Sequence, residues 1–98
     1  FEKSQCSYNF TESSPDNLRK LFEIYQDEAI SLIEKKLTYP ALDFVLKCSH
    51  TFNLLDARGV ISVTDRAQYI EKIRKLAREV ASSWVDERES LNYPLIKN

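Results

Sequence analysis

The chain is poor in the residues that build turns, phosphate-binding loops and metal sites. Its 98 residues include one Gly, three Pro, two Cys, one His and no Met. A single Gly cannot build the Gly-rich loops that hold nucleotide phosphates, so we expect no ATP site within these residues. The scarcity of Gly and Pro also predicts an all-α domain, because few residues remain to form turns between strands.

The two cysteines give no sign of a metal site. Neither Cys6 nor Cys48 has a second Cys or a His at metal-ligand spacing, so zinc lacks a ligand set. The start of the chain shows no signal-peptide pattern, and no apolar run reaches the roughly 18 residues that cross a membrane. We therefore expect reduced thiols in a cytoplasmic protein that has no membrane partner.

Charge is nearly balanced, with 14 Lys and Arg against 15 Asp and Glu and a formal net charge of -1. The chain thus lacks the overall basic field of proteins that bind nucleic acid non-specifically. No DNA partner is expected, and any RNA contact must be local. The length corresponds to one domain. Because the chain starts at Phe1 and has no Met, we expect it to be a piece of a longer protein.

Hydrophobic periodicity and Pro positions predict the first two helices. The first opens with Ser14 as N-cap and Pro15 at its first position, and it runs to about residue 36. The second begins around Pro40 with Thr38 as its cap. It ends near residue 55, ahead of Gly59, which takes a left-handed conformation without steric cost.

The third helix is predicted to be long. Ser62 and Asp65 form a capping box, and the apolar spacing continues to about Leu91, before Pro94 stops the helix. The prediction is a three-helix antiparallel bundle at 15–98 that follows an irregular linker at 1–14. Residues expected to face the core include Leu18, Leu21, Phe22, Tyr25, Ala29, Leu32, Ile33, Ala41, Leu42, Val45, Leu46, Cys48, Phe52, Ile70, Ile73, Ala77, Val80, Trp84 and Leu91.

Isolated polar residues in the second helix and the following turn favour structural over chemical roles. His50 lies between Ser49 and Thr51, but neighbours on a helix do not face each other, so no nucleophile and base pair forms. We expect a hydrogen-bonding role for His50 and keep an RNA or subunit contact as the alternative. Asp56 and Arg58 flank the turn, where a carboxylate that accepts amides or pairs with a guanidinium pins the loop.

Basic residues concentrate in the first half of the third helix, and acidic residues in the second. A patch of this size is able to neutralise a few phosphates of an RNA duplex. The alternative, which we favour from sequence alone, is a solvated face held by Glu71 and Lys75 at i, i+4 spacing. The aromatic residues at helical spacing are interpreted as packing groups rather than base-stacking platforms: Tyr25, Tyr69, Trp84 and Tyr93.

One long segment resembles a known family. The string SHTFNLLDARGVISVTDRAQYIEKIRKLAREVASSWVDERESLNYPL, from Ser49 to Leu95, is similar to the closing segment of bacterial glycyl-tRNA synthetase alpha subunits. The upstream string LTYPALDFVLKCSHTF resembles the preceding helix of that family. The family usually has Glu at Asp65, Gly at Asn92 and often Tyr at Trp84. Asp and Asn still suit a capping box and a left-handed helix end, so these departures leave the predicted architecture unchanged.

The resemblance implies an enzyme of two alpha and two beta subunits. Such an enzyme, a class II aminoacyl-tRNA synthetase, activates glycine with ATP and transfers it to tRNA(Gly), releasing AMP and diphosphate. ATP and Mg are implied for the parent enzyme, whose catalytic region precedes this segment. None of its ATP, glycine or magnesium positions match here. We therefore expect no catalytic, cofactor-binding or metal residue in this chain, and no activity from it alone.

The partners that the resemblance implies are the beta subunit, a second alpha subunit and tRNA(Gly). By similarity to the alanyl enzyme, the domain is expected beside the tRNA acceptor stem, against the beta subunit, or both. The alternative is a purely protein-binding module for subunit assembly, without RNA contact. Under either hypothesis the candidate contact residues are His50, Arg58, Arg66, Lys72, Arg74, Lys75 and Arg78.

Overall fold

A computed structural model describes residues 14–90 of the chain, apart from the side chain of Ser90. This part contains three helices and no strand: α1 at Pro15–Glu34, α2 at Thr38–Arg58 and α3 at Val63–Ser90. The predicted all-α class is confirmed, and the starts of the first and third helices agree with the sequence. The predicted linker at 1–14, the packing of Tyr93 and the helix end near Leu91 lie largely or wholly outside the described residues.

Local sequence signals account for both ends of α1. The Ser14 side chain accepts a hydrogen bond from the Asn17 backbone amide at 3.4 Å, and Pro15 occupies the first turn. At the other end the amides of Lys36 and Leu37 donate to the carbonyls of Ile33 and Leu32, which is the Schellman arrangement. Lys36 holds the left-handed position of this motif, with φ of 60°. Such a position usually carries Gly.

The predicted role of Thr38 as a helix cap is wrong. Leu37 is the N-cap of α2, and it makes no side-chain capping bond. Thr38 is instead the first residue of the helix and is 5% exposed. Its hydroxyl lies 3.1 Å from that of Ser83 on α3, so the two buried hydroxyls satisfy each other. α2 also extends past residue 55 to Arg58, where Gly59 ends it in a left-handed conformation as predicted.

Contacts between the helices show an up-down-up arrangement. Leu18 near the start of α1 packs with Leu54 and Leu55 near the end of α2, so these two helices run antiparallel. The ring of Tyr69 lies 4.7 Å from that of Phe22 and 5.8 Å from that of Phe52, centroid to centroid. Together with the hydroxyl pair at the other end of α2, this contact makes α2 and α3 antiparallel as well. The predicted antiparallel bundle is therefore the observed one.

The core is built where the three apolar stripes meet. Its buried cluster contains Phe22, Ala29, Ala41, Val45, Cys48, Phe52, Leu76 and Val80. The Cys48 thiol is buried and donates weakly to the Phe22 carbonyl at 3.9 Å. Burial raises the pKa of Cys48 from its ordinary 9.0 to about 11, because the thiolate loses its hydration in the core.

Several residues expected in the core are exposed. Leu42 and Trp84 are 41% and 40% exposed, Leu46 is 60% exposed, and Ala77 also lies at the surface. These residues follow the helical spacing of the core stripe but sit at its edge, beyond the surface that the neighbouring helix covers. The core prediction is wrong for these four residues.

Candidate RNA or subunit contact surface

Three of the predicted contact residues lie together on the outward side of α3. Leu76 and Val80 turn into the core, and a helix advances about 100° per residue, so Arg74, Lys75 and Arg78 point away from the bundle. All three are exposed. Arg78 donates to Glu71 at 3.2 Å, where both side chains are 64% exposed. This contact replaces the predicted pairing of Glu71 with Lys75.

Arg74 and Lys75 form no ion pair in the part of the chain that the structure describes. Each cation is therefore hydrated in the free protein and is available to an anionic partner at small desolvation cost. The sequence-based prediction of a solvated face held by an ion pair fits Arg78 but not these two residues.

Lys72 and Lys75 also line a groove between α1 and α3. This groove has a volume of about 490 Å³, and Gln26, Ile30, Glu34 and Glu79 are among its other lining residues. The Lys72 ammonium lies 5.6 Å from the centroid of the Tyr69 ring, a cation–π contact that holds it beside the core. The carboxylates of Glu34 and Glu79 make the charge of this groove mixed.

Arg66 and Arg58 lie at the other end of α3 and in the turn before it. Arg66 pairs with Asp56 at 3.4 Å, which ties the first turn of α3 to the end of α2. The Arg58 side chain is half-buried in the last turn of α2. Arg19 of α1 donates to the Val60 carbonyl at 3.3 Å and braces the same turn. These contacts give Asp56 and Arg66 a structural role. They agree with the prediction that the Asp56 carboxylate holds the turn by pairing with a guanidinium, here that of Arg66.

His50 is separate from the basic residues of α3. It is exposed on α2 and lines a shallow groove of about 280 Å³ with Leu18, Leu21, Tyr25, Lys47, Thr51 and Leu54. That groove lies between α1 and α2, and none of its lining residues belongs to α3. The structure therefore splits the predicted contact residues into an outward face on α3, a braced turn and an isolated histidine.

A surface that sequence reasoning missed lies between α2 and α3. Tyr39 and Leu42 from α2 face Ala77, Ala81 and Trp84 from α3 across a groove of about 360 Å³. Tyr39 is 70% exposed. The sequence signal was present as apolar residues at helical spacing, but the same spacing describes core residues. Only the packing distinguishes the two cases.

Other classes of site were also sought in the part of the chain that the structure describes. Residues 14–90 contain no group of three or more His, Cys, Asp or Glu side chains placed to hold a metal ion. None of the three helices is long and apolar enough to cross a membrane.

The comparison with known families agrees with the resemblance seen in the sequence. The family model described as glycyl-tRNA synthetase alpha subunit matches residues 1–89. The match spans all but the last nine residues of the chain, including α1, α2 and nearly all of α3. The chain therefore belongs to the glycyl-tRNA synthetase alpha subunit family.

Proposed function

We propose that this chain is a non-catalytic helical region of the alpha subunit, and that it positions the tRNA acceptor arm relative to the catalytic site. The observation that carries the proposal is the outward side of α3, where Arg74 and Lys75 are exposed beside Arg78. Neither of them has a carboxylate partner among residues 14–90. Membership of the family suggests tRNA(Gly) as the polyanion that this positively charged surface would bind.

The physical role is binding and orientation. Each Lys or Arg that meets a phosphate releases condensed counterions, and a rigid helix fixes the spacing of those contacts along the duplex. Holding the acceptor arm in place lowers the entropic cost of bringing its 3′ end to the activated glycine. The bond-making groups belong to the remainder of the enzyme under this proposal.

The wider assignment also rests on the family. We infer a class II enzyme with two alpha and two beta subunits in the cytoplasm, which uses ATP and Mg bound outside these residues. The beta subunit and a second alpha subunit are the expected protein partners. Family membership supports these statements, and the contacts within α1–α3 are compatible with them.

Charge reversal tests the RNA contact. In the complete alpha and beta enzyme, R74E combined with R78E is expected to weaken tRNA(Gly) binding by at least about tenfold and to make it less sensitive to salt. Glycyl-adenylate formation is expected to survive, because the substituted residues contact no reacting group. The measurements are tRNA affinity across a salt series and glycine-dependent pyrophosphate exchange.

A matched control separates local contact from net charge. K20E combined with K35E alters the total charge by the same amount on exposed residues of α1 and its C-cap. It is expected to leave tRNA affinity close to that of the wild type. Equal losses in the two double variants, or no loss in either, would contradict an RNA contact on the outward side of α3.

A second candidate function is subunit assembly without RNA contact. The exposed apolar groove between α2 and α3 favours it, because apolar surface of this kind is usual at protein interfaces. Salt distinguishes the two functions. Binding through phosphates weakens steeply as salt rises, whereas binding through an apolar groove changes little.

A further inference from the structure

The groove between α2 and α3 has a defined apolar lining. We call it the α2–α3 groove, and its lining residues are Thr38, Tyr39, Leu42, Ala77, Val80, Ala81 and Trp84. Leu46 lies one turn along α2 from Leu42 and is 60% exposed, so the apolar surface continues past the groove along α2. Val85 beside Trp84 is 41% exposed and widens it on α3. Within residues 14–90, the fold thus leaves a continuous apolar strip uncovered.

The lining offers almost no hydrogen-bonding group to a ligand. The Thr38 hydroxyl is buried against that of Ser83 at 3.1 Å, and the backbone groups lie within helices. The exposed Tyr39 hydroxyl and the indole N–H of Trp84 are the side-chain groups that remain. An extended peptide or a nucleobase would leave its own polar groups unpaired in such a groove. A helix satisfies its backbone internally and is therefore the form of polypeptide that fits.

The shape of the α3 wall also suits a helix. Ala77 and Ala81 are one turn apart and form a low shelf between Leu42 on one side and Trp84 at the end. Small side chains at this spacing let the ridge of a neighbouring helix approach closely. Tyr39 and Trp84 supply aromatic surface for its larger residues.

The α3 edge of the groove is positively charged, whereas the α2 edge carries the ion pair of Asp43 and Lys47. Arg74 and Arg78 each precede one of the shelf alanines by three residues, so they lie on the same side of α3. The Arg88 guanidinium lies 4.8 Å from the centroid of the Trp84 ring and adds a third cation. Carboxylates on an occupant would complement this edge.

We propose that the α2–α3 groove binds an amphipathic helix of another protein, with the apolar face of that helix on the alanine shelf and Asp or Glu along its edges. This inference concerns a surface adjacent to the outward face of α3 and does not depend on RNA binding. It assigns the apolar groove to protein, and Arg74 and Arg78 at its edge would serve both the partner helix and tRNA.

Trp84 makes the groove directly observable, because it is the single Trp of the chain. The probe is a synthetic 18-residue helical peptide with Leu at i, i+3, i+4 and i+7 spacing and Glu at both edges. Added to the 98-residue chain, it is expected to shift Trp84 emission to shorter wavelength in a saturable way, since docking removes the indole from water. A peptide of identical composition with the Leu positions scrambled is expected to give no shift.

Variants define the site. L42S and A81E alter exposed lining residues, so the helical fold is expected to persist, which circular dichroism and thermal unfolding verify. Each substitution is expected to weaken binding of the Glu-edged peptide by at least about tenfold. I24S is the matched control, because Ile24 is 59% exposed on α1, away from the groove. The I24S variant should bind the Glu-edged peptide as tightly as the wild type does. Replacing the peptide Glu residues by Lys should also weaken binding.

Each of the following outcomes would overturn the proposal. They are unchanged affinity in both L42S and A81E, equal affinity for the Lys-edged peptide, the same Trp84 shift with a duplex RNA hairpin, and self-association that L42S abolishes. A red shift of Trp84 after removal of residues 91–98, without any peptide, would instead assign the groove to the chain's own end. A charge-reversal result that contradicts the RNA contact leaves these measurements unaffected, so the two proposals fail separately.

Discussion

Lys36 occupies a backbone conformation that side chains with a Cβ usually avoid. Its φ of 60° places it at the left-handed position of the Schellman motif that ends α1. K36G is expected to stabilise the protein by about 1 kcal/mol, since Gly adopts this conformation without steric cost. Chemical denaturation measures the change. K35G is the matched control and should destabilise instead, because Lys35 has φ of -83°. Equal effects of the two substitutions would contradict the assigned strain.

Cys48 predicts a pH dependence of stability at the alkaline end. Its pKa is raised from 9.0 to about 11 in the folded state, because burial disfavours the thiolate. The unfolded thiol therefore ionises first as pH rises between these values, which favours the unfolded state. This contribution is fully present below pH 9 and is lost as pH approaches 11.

The measurement for Cys48 is a comparison of slopes. The free energy of unfolding of the wild type is expected to fall more steeply from pH 9 to pH 11 than that of C48A. C48A retains Cys6 and the remaining titratable groups, so their contributions cancel in the difference. Parallel slopes would show that the folded and unfolded thiols ionise alike.

At the scale of single elements, α3 differs from α1 and α2 in how little of it is buried. Its buried residues are Leu76, Val80 and Ser83, all in the middle of the helix, while Val63 at its start is 88% exposed. Much of α3 therefore presents surface rather than core. The same helix carries the outward cations and one wall of the α2–α3 groove, which is why both proposals depend on it.

Removal of the N-cap side chain is expected to cost more stability at α3 than at α1. Ser62 accepts a hydrogen bond from the Asp65 amide at 3.1 Å, whereas Ser14 accepts from the Asn17 amide at 3.4 Å. S62A is expected to cost about 1 kcal/mol of unfolding free energy, and S14A less, because the longer bond is weaker. Urea denaturation compares them, with S62D as a control that retains a capping oxygen. A larger cost for S14A would reverse the expected order.

At the scale of the whole molecule, we expect the three helices to provide binding surfaces and no catalytic group. We expect the 98-residue chain to form no glycyl-adenylate, because its one Gly cannot build a phosphate-binding loop and the sequence predicts no ATP or glycine position of the family in it. The measurement is glycine-dependent pyrophosphate exchange, with the complete alpha subunit as the positive control. Exchange by the 98-residue chain above the reagent blank would refute a purely positioning role.

Sequence alone determined the class of fold and most of its boundaries. Ser14, Pro15, Gly59 and Ser62 act through bonds and backbone conformations that are local to the chain, so their structural effects are readable without knowledge of the fold. The string from Ser49 to Leu95 resembled the glycyl-tRNA synthetase alpha subunit family, and the family match confirmed that resemblance. The basic residues of α3 were also visible as candidates, but not their separation into distinct surfaces.

Tertiary structure decided which apolar residues are covered and which charges are paired. Helical spacing gives the direction of the apolar face of a helix but not its width. Leu42 and Trp84 were therefore predicted to lie in the core, although the neighbouring helices leave them exposed. Long side chains also reach beyond their own turn, which is why Glu71 meets Arg78 and Asp56 meets Arg66 across a loop. The Glu71–Arg78 contact lies within α3, two turns apart, whereas the Asp56–Arg66 contact joins α2 to α3. The second contact depends on how these two helices pack, and no local pattern in the chain encodes that packing.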